Sequence, residues 1–289
     1  MDEPFVYTAR LSDAHGHIDW SETEDHTWQQ LIARQLGNLQ DKACDEYLQG
    51  LERLDLPLDH IPALKDINRV LYDATGWQCA EVPALISFDR FFKLLSERKF
   101  PVATFIRRPQ DMDYLQEPDI FHEIFGHCAM LTHPAFADFT AHYGKLGVNA
   151  SKQERAYLAR LYWFTVEFGL LNAAQGLKIY GGGILSSPQE TEYAHASTVP
   201  ERREFNISDV LRTRYRIDVL QPIVDDLPLA KVFPLGFQVD GFCSTPYPPV
   251  LGLSLAQWAL VAFVLTAVLV PLGIYRNRDR KSTRLNSSH

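Results

Sequence analysis

Residues 117–136 read EPDIFHEIFGHCAMLTHPAF, and the spacing of their two histidines decides how the chain is understood. His122 and His127 stand five apart, with Glu123 directly after the first. Five residues advance a regular α-helix by roughly 500°, so the two side chains would diverge by about 140°. The zinc-protease pattern H-E-x-x-H places its histidines four apart on one helix face and is therefore excluded. Convergence on a metal needs a helix terminus or a local distortion. On its own terms the pair is either a metal site or two core or capping histidines. A third ligand would favour the metal, and Glu167 in LYWFTVEFGLL (161–171) is the best candidate. No basic residue lies between Arg160 and Lys178, and the neighbours of Glu167 are aromatic or aliphatic. A carboxylate in such company is costly to bury unless paired or bound to a cation. Two imidazoles and one carboxylate form the facial triad of non-heme Fe(II) oxygenases, which leaves positions for oxygen and substrate.

Outward from this stretch, the pattern predicts helices over 118–132, 134–144 and 153–176. On the N-terminal side, Trp28, Leu31, Ile32, Leu36, Leu39, Cys44, Tyr47, Leu48 and Leu51 keep near-helical spacing across 26–55. IPALKDINRVLYDATGW reads as a helix ending near Gly76. DRFFKLLSER reads as a short helix between extended EVPALI (81–86) and PVATFIR (101–107). GGGILSS (181–187) reads as a turn and a short strand. Residues 200–222 read as a short helix and a strand in which Tyr215, Ile217 and Val219 alternate. The expected fold class is mainly α with a few short strands, in a single catalytic domain. Residues 1–25 form a polar arm, 26–244 the catalytic domain, and 245–289 an apolar helix with a basic tail. His15 and His17, in DAHGHIDW (13–20), read as surface histidines beside a glycine turn.

The 289 residues are 46% hydrophobic and 22% charged, enough apolar material for a sizeable core. Net charge is -8, and the basic residues gathered after 275 hide a more acidic body. An acidic surface without a basic cluster excludes nucleic acid as the partner. Four dispersed cysteines and an N-terminus without a basic or apolar leader point to free thiols and a cytoplasmic location.

DYLQEPDIFHEIFGHCAML, followed by YWFTVEFGL and YGGGILSS, resembles the pterin-dependent aromatic amino acid hydroxylases. The likeness extends through DHIPALKDINRVLYDATGW, EVPALI, FPVATFIR and VLRTRYRIDVLQP, roughly residues 13–222, and the bacterial phenylalanine 4-monooxygenases are most similar. It implies a monooxygenase that hydroxylates L-phenylalanine to L-tyrosine with O2 and tetrahydrobiopterin or a related reduced pterin at one Fe(II). By the same likeness His122, His127 and Glu167 would hold the iron. Ala84, Leu85, Ile86 and Phe91 would receive the pterin, with Glu123 beside it. Tyr162 would line the iron pocket, Arg107 would hold the substrate carboxylate, and Trp163 and Ser186 would complete the substrate pocket. Without the likeness, Ala84–Ile86 is a hydrophobic strand end, Arg107 or Arg108 a solvated charge, and Trp163 core packing. The regulatory domain of eukaryotic members is expected to be absent, and the enzyme to act as a monomer.

Residues 251–275 carry no charge and exceed the roughly 20 residues that cross a bilayer. The basic RNRDRK after them favours a cytoplasmic C-terminus, which would send the iron enzyme outward. KSTRLNSSH at the end reads as a translated sequencing remnant. Residues 245–289 are therefore expected to be foreign to the enzyme, and the membrane unlikely for the catalytic body. The sequence leaves two rivals: a tryptophan or tyrosine hydroxylase of the same family, and a membrane-tethered, non-catalytic binding protein.

Overall fold

The computed structural model describes residues 7–113, 117–215 and 218–224. The chain divides into two units, Met1–Phe233 and Pro234–His289, and every described residue belongs to the first. The apolar run 251–275 and residue Ile217 thus lie outside the described residues. Among the described residues, no helix is long and apolar enough to cross a membrane.

The architecture is mainly helical. Helix α1 (Glu22–Leu39) opens with a capping box, in which the Ser21 hydroxyl accepts from the Glu24 N–H and Glu24 reaches back to the Ser21 N–H. This cap starts the helix inside the stretch expected to be an arm. The helical run expected over 26–55 is two helices, because the chain turns at Asp41, whose φ is 64°, before α2 (Asp45–Leu54). Helix α3 (Leu64–Thr75) ends at Gly76 in the left-handed conformation, where the sequence places its stop. Strand β1 (Gln78–Val82), α4 (Phe88–Ser96) and β2 (Lys99–Ala103) follow, with β1 and β2 parallel and in register from Gln78 against Lys99 to Val82 against Ala103. The ladder stops at Val82 because Pro83 offers no N–H. Ala84, Leu85 and Ile86 are accordingly a loop leading into α4, not a strand end, and Leu85 is 70% exposed.

Residues 122–128 form a wide, π-type helical turn that continues into α5 (Ala129–Leu131). Helix α6 (Pro134–Asn149) runs five residues beyond its expected end at 144. Helix α7 (Lys152–Tyr162) passes into a second wide turn, Trp163–Glu167. The helix expected over 153–176 therefore stops at Glu167, and the rest is a hairpin of β3 (Leu170–Ala173) and β4 (Gly176–Ile179). Beyond it come α8 (Gly182–Leu185), α9 (Pro188–His195), β5 (Glu201–Arg202), α10 (Ile207–Arg212), β6 (Val219–Leu220) and β7 (Ile223–Val224). The strand expected within GGGILSS is the helical turn α8, and Ser187 with Pro188 starts a further helix there, its hydroxyl capping the Glu190 N–H. β7 pairs with β3 and β6 with β5, both parallel.

The core is aromatic around the first wide turn. Phe121 and Phe125 stack with centroids 4.9 Å apart, and Trp28 of α1 meets Phe121 edge-on at 5.4 Å. All three are fully buried and fix one side of the turn, leaving the other to the histidines.

Candidate metal and pterin site

The wide turn resolves the histidine spacing. In a helix bonded i→i+5, the residue five positions on returns to nearly the same face. His122 and His127 accordingly face each other with Nε2 atoms 3.1 Å apart, instead of diverging. Glu167 closes the third side from the end of the second wide turn, where the Phe168 N–H donates to the Trp163 carbonyl at 2.8 Å, five residues back. Its Oε1 lies 3.5 Å from His127 Nε2 and its Oε2 3.7 Å from His122 Nε2.

Neighbouring groups set the donor atoms. Ser186 Oγ donates to the Gly182 carbonyl at 2.8 Å, so at His122 Nδ1, also 2.8 Å away, it accepts. That network puts the proton on Nδ1 and leaves the Nε2 lone pair facing the cluster. Burial pushes His122 down to about 4, which keeps it neutral at physiological pH. For Glu167, burial acts upward, but the His127 and His122 rings and the His127 hydrogen bond outweigh it and hold the carboxyl below its usual range. Glu123 also approaches, since His122, Glu123 and His127 each offer an atom within 4.8 Å of the others. Burial and the carboxylates of Glu167 and Asp119 push Glu123 well above the ordinary carboxyl range. A protonated carboxyl is a hydrogen-bond donor and a poor ligand, so Glu167 is the better third donor.

The donor set suits a divalent cation. Two imidazole nitrogens facing each other at 3.1 Å repel unless a cation or a proton lies between them. Adjacent ligands of an octahedral centre with bonds of about 2.1 Å lie about 3 Å apart, close to the spacing of the two rings. The carboxylate has about half an ångström to close.

Glycines bring the third ligand close. A Cβ on Gly181 would stand 2.2 Å from the Gly169 nitrogen and 2.5 Å from the Glu167 carbonyl oxygen. A Cβ on Gly183 would stand 3.0 Å from Glu167 Oε2. The YGGGILSS segment is therefore a cradle under the ligands.

Phe91 meets Tyr162 edge-on at 5.4 Å, and Tyr143 packs against Tyr162 at 5.4 Å, so an aromatic wall joins α4 to the end of α7, just before the second wide turn. Burial, then the Glu167 and Glu123 carboxylates, push the Tyr162 phenol well up. Ala84, Leu85 and Ile86 lead into α4, the helix that carries Phe91. Trp163 stacks on Phe168 at 4.4 Å and meets Tyr215 edge-on at 5.6 Å. Ser186 touches His122 itself.

Arg107 is only 7% exposed, and so is no solvated charge. Its Nε and Nη2 donate to the two oxygens of Asp119 at 2.8 and 2.9 Å. Arg108 pairs with Asp111 instead. Asp119 is the residue that sequence reasoning missed. Fully buried, it also accepts from the N–H groups of Arg107 and His122, at 2.9 and 3.0 Å, and so ties the arginine to the first metal-facing histidine. The available signal was an acid directly before the apolar Ile120 and Phe121, three residues ahead of His122, with Arg107 twelve residues upstream of it.

Elsewhere, Asp13 Oδ1 accepts from the backbone N–H groups of His15 and His17 around Gly16, a surface turn as expected. Cys44, Cys79 and Cys128 are free and buried.

Comparison with known proteins gives two separate likenesses. The biopterin-dependent aromatic amino acid hydroxylase family matches residues 4–225. The phenylalanine-4-hydroxylase of Vibrio cholerae is 59% identical over 230 residues, 79% of this chain and 80% of that protein. A crystal structure of the Chromobacterium violaceum phenylalanine hydroxylase with bound iron(III) and oxidized 7,8-dihydrobiopterin is 41% identical, with a TM-score of 0.72 over 82% of this chain and 88% of that one. The second likeness is to disulfide bond formation protein B 1 of Pseudomonas putida, 92% identical over 62 residues, 22% of this chain and 37% of that protein. The 64 residues after 225 are long enough to hold that match. By a family match over most of its length and by these relatives, the chain belongs to the biopterin-dependent aromatic amino acid hydroxylases.

Proposed function

We propose that this protein is a phenylalanine 4-monooxygenase that converts L-phenylalanine to L-tyrosine with O2 and a reduced pterin at a single Fe(II). The observation that carries this reading is the convergence of His122, His127 and Glu167 from two wide turns. The relatives named phenylalanine hydroxylases favour phenylalanine over tryptophan or tyrosine. The intact ligand set speaks against a non-catalytic binding protein.

Iron and reduced pterin would together supply the oxygen activation that no amino acid side chain can provide. The chain's own residues bind, orient and exclude water. His122, His127 and Glu167 would hold the metal on one side. Ser186 keeps the His122 proton on Nδ1, away from it. Phe91 offers an aromatic face to the pterin, beside the Ala84–Ile86 loop, and Glu123 a carboxyl able to donate to it. Tyr162 would line the iron pocket next to Phe91. Arg107, held in a fixed orientation by Asp119, would take the substrate carboxylate, and Trp163 would border the ring of the amino acid.

The hydroxylase unit is proposed to end near residue 225, where the family match stops, with the remaining residues derived from the second protein. A cytoplasmic monomer follows from this reading and is tested by gel filtration and fractionation. The main experiment is reconstitution with Fe(II), tetrahydrobiopterin and air, with phenylalanine, tryptophan and tyrosine as competing substrates. Tyrosine formed from phenylalanine, and lost in His122→Ala, is expected. Faster turnover of tryptophan or tyrosine, or none of any substrate, would overturn the assignment.

A further inference from the structure

The wide turn that brings His122 and His127 together raises a question of backbone accounting. A helix that passes from i→i+5 bonding back to i→i+4 bonding skips one carbonyl at the change. Here the wide turn ends at Cys128 and the regular helix resumes at Ala129. With Cys128 the last residue inside the wide turn, the closing i→i+5 bond runs from the Ala129 N–H to the Ile124 carbonyl and the next, regular bond from the Met130 N–H to Gly126, so the Phe125 carbonyl, in a fully buried stretch, is the one skipped. A buried carbonyl without a donor is unfavourable, and it presses the helix to return to regular bonding.

Tyr47 of α2 meets that need. Its side chain is fully buried, and its hydroxyl donates to the Phe125 carbonyl at 2.7 Å. Its ring packs edge-on to Phe125, with centroids 6.2 Å apart. Helix α2 can come this close because Gly50 faces the Ala129 carbonyl, where a Cβ would stand 2.1 Å from the oxygen. We propose that Tyr47 is a positioning residue for the metal site, its hydroxyl holding the turn in the wide register that makes His122 and His127 face each other. The proposal rests on the reading of these residues as metal ligands. Tyr47 does not touch the metal-facing atoms and acts through the Phe125 carbonyl.

The test compares Tyr47→Phe, which keeps the ring and removes one oxygen, with Thr75→Val. Thr75 Oγ1 donates to the Leu131 carbonyl at 2.7 Å, at the end of the same helical stretch but outside the wide turn. Co(II) is titrated, with its visible absorption as readout, into the full chain, the two variants and His122→Ala. Amide hydrogen exchange over 121–131 is followed in the metal-free proteins. Tyr47→Phe is expected to bind Co(II) several-fold more weakly than wild type, less than the about 10- to 100-fold lost with a partner bonded directly to a ligand. It should also exchange faster through 126–131, while Thr75→Val keeps wild-type affinity. Equal Co(II) affinity in Tyr47→Phe and wild type, or equal loss in both hydroxyl variants, would overturn the proposal. A wild-type protein that binds no better than His122→Ala would instead overturn the metal reading beneath it. If Tyr47→Phe lowers stability too far for titration, exchange at 15 °C decides, and unchanged protection over 126–131 counts against the proposal.

Discussion

Replacing Asp119 with Ala removes the acceptor of four hydrogen bonds, from the Arg107 backbone, its Nε and Nη2, and the His122 N–H. The carboxylate is fully buried and the arginine 7% exposed, so the variant strands a guanidinium in the interior. Breaking a buried pair from one side costs about 3–5 kcal/mol. In a unit of this size each kcal/mol lowers Tm by about 2–4 °C, so a fall of about 6–20 °C is expected in thermal unfolding. The pH dependence has a definite sign. Burial alone would raise the Asp119 carboxyl, but the Arg107 charge and the hydrogen bonds overcome it and hold the group below its usual value. A depressed carboxyl contributes stability that is complete above the unfolded-state value, about 3.9, and is lost as pH falls through the folded one. The gap between wild type and Asp119→Ala should therefore be constant from pH 7 to 5 and shrink below about 4. Replacing both partners with apolar residues, as in Arg107→Met with Asp119→Leu, should recover part of the loss. A Tm within 2 °C of wild type, or a double variant worse than the sum of the singles, would refute the reasoning.

Three further outcomes are expected. Arg107→Lys keeps the charge but loses the fork that engages both Asp119 oxygens, so KM for phenylalanine should rise about tenfold or more while kcat falls less, measured by initial rates. Gly181→Ala forces a Cβ against the Gly169 nitrogen and the Glu167 carbonyl, neither of them a flexible side-chain end; a loss of about 1–3 kcal/mol in urea unfolding and weaker metal retention should follow. A chain ending at residue 225 retains β7 against β3, and should match the full chain in iron content and hydroxylation rate; aggregation or loss of iron would show that the later residues complete the core.

Much of this arrangement was legible from residue types alone, and the misses share a cause. Glu167 stands out as a carboxylate among aromatics, and His122 and His127 as a pair, because unpaired polar groups in apolar runs need partners. Their convergence was not legible. The i→i+5 turn is set by what packs around it, including Phe121, Phe125 and the glycine cradle, and local periodicity carries no signal for it. The same limit extended α7 too far: LLNAAQGLKI has helix-compatible residues, but Gly169 packs against the Thr165 carbonyl and Gly176 takes a φ of 111°, which closes a hairpin. The role of Asp119 is not legible because its partner, Arg107, stands twelve residues earlier on the segment after β2, and only the fold brings the two charges together. Stops at Gly76 and a short α4 were readable because caps are local.

The central claim is that one metal ion sits among His122, His127 and Glu167, and elemental analysis of anaerobically Fe(II)-loaded, desalted protein tests it most directly. Wild type should retain one iron per chain. His122→Ala and Glu167→Gln should retain almost none while keeping wild-type far-ultraviolet circular dichroism. Stoichiometric iron in either variant would contradict the account.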